Sequence, residues 1–374
     1  MKFLLVLLNL QIIVWNGQAQ NTIIFTGTTN TVEEKTIHIL NLDEDNTELK
    51  LLSSVNGGKG PGYLVISTDG SFLYAVCEEI FQNKGQDRSL NAFRINNKDW
   101  KLENLNTVSS HGIHPCHISL SPDGKVLFTA NYTSGSVSSF PVNSDGTIAD
   151  ANSVFIHEGS GPDKSRQEGP HAHFIQASPD GRYVYSADLG IDKILIYKLS
   201  PDGKMIQNTD APFLQLKPGS GPRHMAFHSN GKLVFILNEL SNEVVSCNYD
   251  PLTGNLSVKD IKSTLEKGFN EYSKAAAIRI HPNGKYLYCS NRGENSIAVF
   301  RINQNGSLEK IQSFKEGIET VRDFNITPSG KYLIAGNQGK NEIILLQLKN
   351  DGQIIPTGKS MQITEPTCIV FYPL

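Results

Sequence analysis

Five ionisable side chains occupy two equivalent positions of a repeated sequence pattern, which would bring them together in a folded repeat protein. They are His173, Arg223, Glu239, Arg292 and Arg322. Hydrolysis of a cyclic ester needs a group that takes a proton from water and a cation that stabilises the developing oxyanion. Glu239 or His173 could accept the proton, and Arg223 or Arg292 could stabilise the oxyanion. The additional arginine predicts a substrate with a phosphate or carboxylate, because a planar guanidinium binds such groups through two hydrogen bonds.

The repeated pattern is a pair of apolar runs joined by a polar turn that contains glycine. It occurs six times, as GYLVISTDGSFLYAVCE, CHISLSPDGKVLFTANY, HFIQASPDGRYVYSADL, RHMAFHSNGKLVFILNE, AAIRIHPNGKYLYCSNR and RDFNITPSGKYLIAGNQ. The turn glycines are separated by 54, 57, 50, 53 and 46 residues. Each copy predicts two β-strands joined by a turn resembling type I′, the turn that Asp-Gly and Asn-Gly favour. A period near fifty residues in β-rich units predicts an all-β fold, a seven-bladed β-propeller.

The two ends of the chain are predicted to complete the seventh blade together. Residues 1–19 have an early lysine, an apolar stretch and small residues near the end, which predicts a signal peptide. Residues 20–374 then form a single seven-bladed domain. The C-terminal segment EPTCIVFYPL supplies only one strand of the last blade. We expect the strand-like runs at 23–26 and 36–40 to join it in a composite blade, which would close the ring and remove exposed sheet edges.

The register of the repeat places two sets of side chains around one mouth of the central channel. The innermost strand of a blade starts on the same face of the disc on which the second strand ends. The first set is Gly62, Cys116, His173, Arg223, Ala276, Arg322 and Thr367, and the second is Glu78, Tyr132, Leu189, Glu239, Arg292 and Gln338. The charged members cluster in units three to six, which predicts a catalytic site there.

Four further residues are predicted to contact the substrate: Arg322, His171, His224 and Asn238. The position just before the second set is nearly always Asn or Asp, which indicates a structural hydrogen bond to the neighbouring loop. That set is Cys77, Asn131, Asp188, Asn238, Asn291 and Asn337. An Arg223→Ala variant is expected to lose activity and keep its fold, since Arg223 is predicted to be partly solvated.

Composition and charge exclude several classes of partner. The net charge is −3 with both signs interspersed, and no basic stripe is present, so a nucleic-acid partner is not predicted. No membrane association is expected once the signal peptide is removed. The five cysteines, an odd number, are predicted to be buried free thiols.

A metal site is a weaker interpretation of the histidines. His171 and His173 would lie on one side of a strand, a spacing that suits zinc, and His224 and the cluster at 111–117 lie elsewhere in the sequence. No carboxylate partner can be assigned from the sequence. The prediction is therefore a site without a metal or an organic cofactor, which binds a small molecule that has an anionic group.

Three segments resemble a known family: GPHAHFIQASPDGRYVYSADLG, GSGPRHMAFHSNGKLVFILNEL and IHPNGKYLYCSNRGENSIAVF. They look like signature segments of the seven-bladed β-propeller lactonases, which include a bacterial 6-phosphogluconolactonase and are related to the carboxy-cis,cis-muconate lactonizing enzyme. The resemblance runs from about residue 22 to the C-terminus. The muconate enzyme uses a His, two Arg and a Glu at the channel mouth. Matched by motif, these fall on His173, Arg223, Glu239 and Arg292.

The resemblance implies a lactonase, most simply one that opens 6-phosphogluconolactone to 6-phosphogluconate in the pentose phosphate pathway. Two other functions stay open from the residues: a non-catalytic binding propeller, and a cycloisomerase or lyase in which His or Glu moves a carbon-bound proton. The signal peptide predicts a periplasmic or secreted protein. Because a phosphorylated sugar lactone is not expected there, another sugar lactone is an alternative substrate.

Overall fold

Seven antiparallel sheets form the blades of a β-propeller in the computed structural model, which describes residues 21–77 and 89–373. The innermost strand of each blade contacts that of the next, and the last contacts the first, so the ring is closed. The all-β propeller prediction is confirmed. The predicted signal peptide and Glu78 lie outside the described residues. Within the described residues, no helix has the length and apolar character needed to cross a membrane.

The strands are numbered in chain order, and the blades from the first complete repeat. Blade 1 contains β4 (Pro61–Ile66), β5 (Phe72–Cys77), β6 (Leu90–Asn96) and β7 (Lys101–Val108). Blade 2 contains β8 (Pro115–Leu120), β9 (Val126–Asn131), β10 (Ser136–Pro141) and β11 (Ser153–Ile156). Blade 3 contains β12 (Ala172–Ala177), β13 (Tyr183–Asp188), β14 (Lys193–Leu199) and two short outer strands that both pair with β14, β15 (Met205–Gln207) and β16 (Phe213–Gln215).

The remaining blades have four strands each. Blade 4 contains β17 (Pro222–Phe227), β18 (Leu233–Asn238), β19 (Glu243–Tyr249) and β20 (Leu256–Ser263). Blade 5 contains β21 (Lys274–Ile280), β22 (Tyr286–Arg292), β23 (Ser296–Ile302) and β24 (Leu308–Phe314). Blade 6 contains β25 (Val321–Ile326), β26 (Tyr332–Asn337), a short 3₁₀ turn (Gln338–Lys340), β27 (Glu342–Leu348) and β28 (Ile354–Gln362).

Blade 7 is the predicted composite of the two chain ends. Its innermost strand is the C-terminal β29 (Pro366–Phe371), followed outward by β1 (Asn21–Thr28), β2 (Ile37–Asp43) and β3 (Glu48–Val55). β29 and β1 run antiparallel, with Val370 opposite Phe25 and Ile369 opposite Thr26. Hydrogen bonds between the first and last described strands therefore close the ring.

The hairpins of the repeat are present, but the predicted turn type is wrong. A type I′ turn needs positive φ at both central residues, whereas in these six turns only the glycine has it. In blade 1 the Gly70 amide donates to the Ser67 carbonyl, and Asp69 accepts a hydrogen bond from the Ser71 amide. The turn is a tight bend followed by a left-handed glycine, and the aspartate stabilises it through its carboxylate rather than through left-handed backbone.

The hydrophobic core lies between neighbouring blades. Tyrosines on the second strands of blades 1, 3 and 5 are buried and donate their hydroxyls to a turn of the following blade; Tyr185, for example, donates to the Gly254 carbonyl. Gly254 has φ 77°, and a Cβ there would lie 2.6 Å from the Tyr183 ring. Adjacent blades are thus joined by hydrogen bonds as well as by apolar packing. No disulfide joins any of the five cysteines, all of which lie in the described residues and are buried, as predicted.

Candidate functional site

A β-bulge in the innermost strands determines which side chains enter the channel. In blades 3, 4 and 6 the pairing register with the second strand shifts at His173, Arg223 and Arg322, respectively. A bulged residue has no direct partner on the neighbouring strand, and the local bend redirects its side chain. Three of the residues selected from the sequence therefore lie at bulges.

Glu239 is the centre of the cluster at the channel mouth. It follows β18 directly, is 3 % exposed, and its Oε2 lies 3.1 Å from Arg223 Nε and 2.8 Å from Arg292 Nη2. His173 Nε2 lies 4.0 Å from the same oxygen. The structure therefore brings together the four residues predicted to be catalytic, which come from blades 3, 4 and 5.

A third guanidinium completes the cluster. Arg166 Nη2 lies 2.7 Å from Glu239 Oε1 and 3.3 Å from the Tyr132 hydroxyl. Arg166 was missed by the sequence reasoning because it lies in the loop between β11 and β12, outside the repeated pattern. The available signal was the repeat step of 57 residues between Gly124 and Gly181, which exceeds the other four.

Arg223 is buried, so the prediction that it is partly solvated is wrong. It is 2 % exposed, and its Nη1 donates to the Ala276 carbonyl of the next innermost strand, which covers it. Burial lowers the pKa of Arg223 to about 9, and the charges of Arg292 and Arg322 act in the same direction. That value stays above neutral pH, so the guanidinium remains charged. Its replacement by alanine should affect folding as well as activity.

The cluster sets opposite protonation preferences for its acid and its imidazole. Burial alone would raise the pKa of Glu239, but Arg292 and Arg223 outweigh it and hold the pKa far below the usual range. Burial lowers the pKa of His173 well below 6.5, and the charge of Arg223 lowers it further. At neutral pH the site therefore contains an ionised carboxylate, three charged guanidinium groups and a neutral imidazole.

The four residues predicted to bind substrate lie at different depths. Arg322 and Arg223 line a small chamber inside the channel together with Cys116 and Thr367. His224 lies in the channel between His173 and His117, with ring centroids 5.5 Å from each, and its Nε2 is 3.1 Å from Arg223 Nη1. Both residues are therefore close to the cluster: Arg322 lines the same chamber as Arg223, and His224 contacts Arg223 directly.

His171 and Asn238 lie outside the cluster. The His171 ring stacks on Tyr132 with centroids 4.5 Å apart, and its Nδ1 is 3.0 Å from the Tyr132 carbonyl. Asn131 and Asn291 donate to backbone carbonyls of preceding loops, as predicted for their position. The equivalent amide of Asn238 is buried and has no hydrogen-bond partner within the described residues. The same part of the chain contains no group of three or more His, Cys, Asp or Glu placed to hold a metal ion.

A Glu239→Gln variant is expected to be less stable by about 3–5 kcal/mol, because three guanidinium groups would surround a neutral amide. Denaturant unfolding measures the loss, and phosphate in the buffer should restore part of it by replacing the missing negative charge. Glu243→Gln, a few residues further along blade 4, is the matched control. Equal stability of the Glu239→Gln and control variants would contradict the central role of this carboxylate.

Comparison with known proteins places this arrangement in a family. The family model described as lactonase, 7-bladed β-propeller, matches residues 23–371. A protein of Bacillus subtilis named 6-phosphogluconolactonase is 35 % identical over 285 residues, which cover 75 % of this chain and 79 % of that protein.

Solved structures with the same fold agree over almost the whole length. A Bacteroides fragilis protein, provisionally assigned as a 6-phosphogluconolactonase, superimposes with a TM-score of 0.87 at 32 % identity and covers 94 % of this chain and 98 % of its own. The periplasmic gluconolactonase PpgL of Pseudomonas aeruginosa has a TM-score of 0.87 at 26 % identity and covers 94 % of this chain and 99 % of its own. The chain belongs to the seven-bladed β-propeller lactonase family.

Proposed function

We propose that this lactonase hydrolyses 6-phosphogluconolactone to 6-phosphogluconate, the reaction of the pentose phosphate pathway. The observation that carries the proposal is the mouth cluster, in which a neutral imidazole lies beside three guanidinium groups that share one carboxylate. Such a site attracts an anionic substrate and can stabilise a further negative charge in the transition state. The named relatives of Bacillus subtilis and Bacteroides fragilis support the choice of substrate.

In this proposal His173 is the general base. Its low pKa keeps the imidazole neutral, and Nε2 points towards the cluster. Nε2 takes a proton from a water molecule, whose oxygen attacks the lactone carbonyl carbon to give a tetrahedral oxyanion. The ring C–O bond then breaks, and the imidazolium returns the proton to the leaving ring oxygen. The balance is one lactone and one water consumed for one hydroxy acid formed.

Glu239 is a positioning residue in this mechanism. Both oxygens of Glu239 already accept hydrogen bonds from guanidinium groups, which also hold its pKa far below the usual range, so it is a poor acceptor for a proton from water. Its two oxygens instead hold Arg166, Arg223 and Arg292 in place through three ion pairs. The alternative in which Glu239 is the base is therefore disfavoured by the charges around it.

Arg223 and Arg292 are the groups proposed to stabilise the oxyanion. Arg292 Nε is buried and has no hydrogen-bond partner within the described residues, so a donor is available without breaking an existing bond. A buried donor that is already oriented stabilises the oxyanion more than a donor in water does, since no reorganisation accompanies the reaction.

A second candidate substrate is an unphosphorylated sugar lactone, hydrolysed outside the cytoplasm. Two observations favour it: the signal-like sequence of residues 1–19, and the likeness to a protein named periplasmic gluconolactonase. We propose export to the periplasm or the medium on the same grounds. Fractionation of cells that express the full chain tests the export, and rates on the two lactones distinguish the substrates. Product analysis separates hydrolysis from isomerisation, because only hydrolysis incorporates one oxygen from labelled water.

The pH dependence tests His173 as the base. The imidazole must be neutral to act as the base, and burial lowers its pKa. The rate should therefore stay constant as the pH falls through 6.5 and should decline only at lower pH. The measurement is kcat/KM for lactone hydrolysis between about pH 5 and 8, corrected for the spontaneous rate. A half-maximal rate at pH 6.5 or above would contradict a buried, neutral imidazole as the base.

A further inference from the structure

The loop between β11 and β12 adds Arg166 to the channel mouth, at a position outside the repeated pattern. Arg166 in this loop has a side chain that is 26 % exposed, whereas the side chains of Arg223 and Arg292 are 3 % and 11 % exposed. Arg166 is therefore the outermost of the three guanidinium groups that contact Glu239. A substrate that enters from solvent meets it before the other two.

Only one nitrogen of the Arg166 side chain makes hydrogen bonds within the described residues. Nη2 binds both Glu239 and the Tyr132 hydroxyl, while Nε and Nη1 make no hydrogen bond within the described residues. Although burial opposes the charged form, the hydrogen bonds to Glu239 and Tyr132 raise the pKa of Arg166, so its charge is permanent. Nε and Nη1 donate on different edges of the guanidinium, so an incoming oxyanion can accept a charge-assisted hydrogen bond from one of them.

The residue next to Arg166 fixes the loop. Gln167 is fully buried, and its Nε2 donates to the Leu189 carbonyl and to Asp192 Oδ1, both at 2.8 Å. Asp192 also accepts hydrogen bonds from the amides of Gly219 and Gly221, in the segment that leads into Arg223. The loop and the base of blade 4 are therefore joined, and Arg166 is presented from a preorganised support.

The cluster has three guanidinium groups around one carboxylate, so positive charge is in excess, and Arg166 is the guanidinium nearest to solvent. Arg223 and Arg292 already bind Glu239 Oε2 from inside the channel, whereas Arg166 binds the other oxygen from the solvent side. A dianionic group is attracted to such a guanidinium by its positive charge and can accept a charge-assisted hydrogen bond from a nitrogen that Glu239 does not use. If the lactone carbonyl lies beside His173, the arm on the far side of the ring extends outward towards Arg166.

We propose that Arg166 selects lactones that have a phosphate on the arm remote from the ring carbonyl. This inference rests on the proposed function, since it assumes that the reacting carbonyl binds beside His173. On binding, one phosphate oxygen accepts a charge-assisted hydrogen bond from Nη1 of Arg166, while Nη2 keeps its contact with Glu239. Arg166 then acts on substrate affinity, and His173 and Arg223 act on the chemical step.

The test compares 6-phosphogluconolactone and gluconolactone in the wild type and in Arg166→Ala, Arg166→Lys and Lys164→Ala. Lys164→Ala is the matched control, since Lys164 is an exposed cation of the same loop. Arg166→Ala should lower kcat/KM for the phosphorylated lactone by about 10- to 100-fold, mainly through KM, because charge-assisted hydrogen bonds are lost. The loss on the unphosphorylated lactone should be about tenfold smaller, because that lactone lacks the group that Arg166 binds. Arg166→Lys should lie between, since it keeps the charge but has one nitrogen in place of three.

Equal losses on both lactones would overturn the proposal, because Arg166 would then act only through Glu239. An unchanged rate on the phosphorylated lactone, or a wild type that prefers the unphosphorylated one, would overturn it as well. Calorimetric binding of 6-phosphogluconate and gluconate separates this inference from the proposed function. If the wild type hydrolyses neither lactone, tighter binding of 6-phosphogluconate that disappears in Arg166→Ala still supports the proposal. Equal binding of the two compounds by the wild type overturns it.

Discussion

Replacing His173 by glutamine is expected to lower kcat/KM for lactone hydrolysis by about 10²–10⁴-fold, the range that a positioned general base contributes. Glutamine cannot take up a proton at neutral pH, so the attacking water would no longer be activated. The arginines and Glu239 contact one another without His173, and the substrate should still bind. We therefore expect the loss in kcat with little change in KM, measured by initial rates above the spontaneous hydrolysis.

The control for this variant is His38→Gln. His38 lies on β2, far along the chain from the cluster, and its Nδ1 is 2.8 Å from Ser54 Oγ. It should keep the full rate. A His173→Gln variant with at least half of the wild-type rate would remove His173 as the base and return that role to Glu239. Thermal unfolding of both variants shows whether a loss of activity is due to unfolding.

Deleting residues 365–374 is expected to abolish cooperative folding. The deletion removes β29, which is the innermost strand of blade 7, and with it the fully buried Cys368 and Ile369. It would expose the hydrogen-bonding edge of β1 and remove the contacts of β29 with the innermost strands of blades 1 and 6. Loss of one buried isoleucine alone costs about 2–5 kcal/mol, a large part of the stability of a typical domain.

The measurement for the deletion is the urea unfolding curve, with deletion of residues 373–374 as the control that leaves β29 intact. The control should unfold cooperatively near the wild-type midpoint. The longer deletion should show no cooperative transition and should aggregate. A longer deletion that unfolds like the wild type would contradict closure of the ring by the chain ends.

The repeat made most of the ring predictable from the sequence. Alternating apolar runs around a Gly-containing turn define a hairpin through local interactions alone, and register transfers positions such as His173 and Arg223 from one blade to the next. The composite blade was predictable for the same reason, since the last repeat stops after one strand. Burial of Arg223 was not, because it depends on the innermost strand of the next blade.

Features outside the repeat were not predictable from it. Arg166 approaches Glu239 from a loop whose path is determined by Gln167 and Asp192, and no periodicity relates that loop to another blade. The bulges that redirect the innermost strands were also missed, since a shift of one residue in pairing leaves no local signature in an apolar run. The turn type was wrong because Asp-Gly suits both the predicted turn and the observed one.

Hydrolysis of freshly prepared 6-phosphogluconolactone by the purified protein, followed against the spontaneous rate, tests most directly whether the mouth cluster is a lactonase site. The account predicts acceleration that is proportional to enzyme concentration and is lost in His173→Gln but not in His38→Gln. Labelled water should place one heavy oxygen in the carboxylate of the product. No acceleration of this lactone or of gluconolactone, by a protein that unfolds cooperatively, would contradict the account and favour a binding propeller.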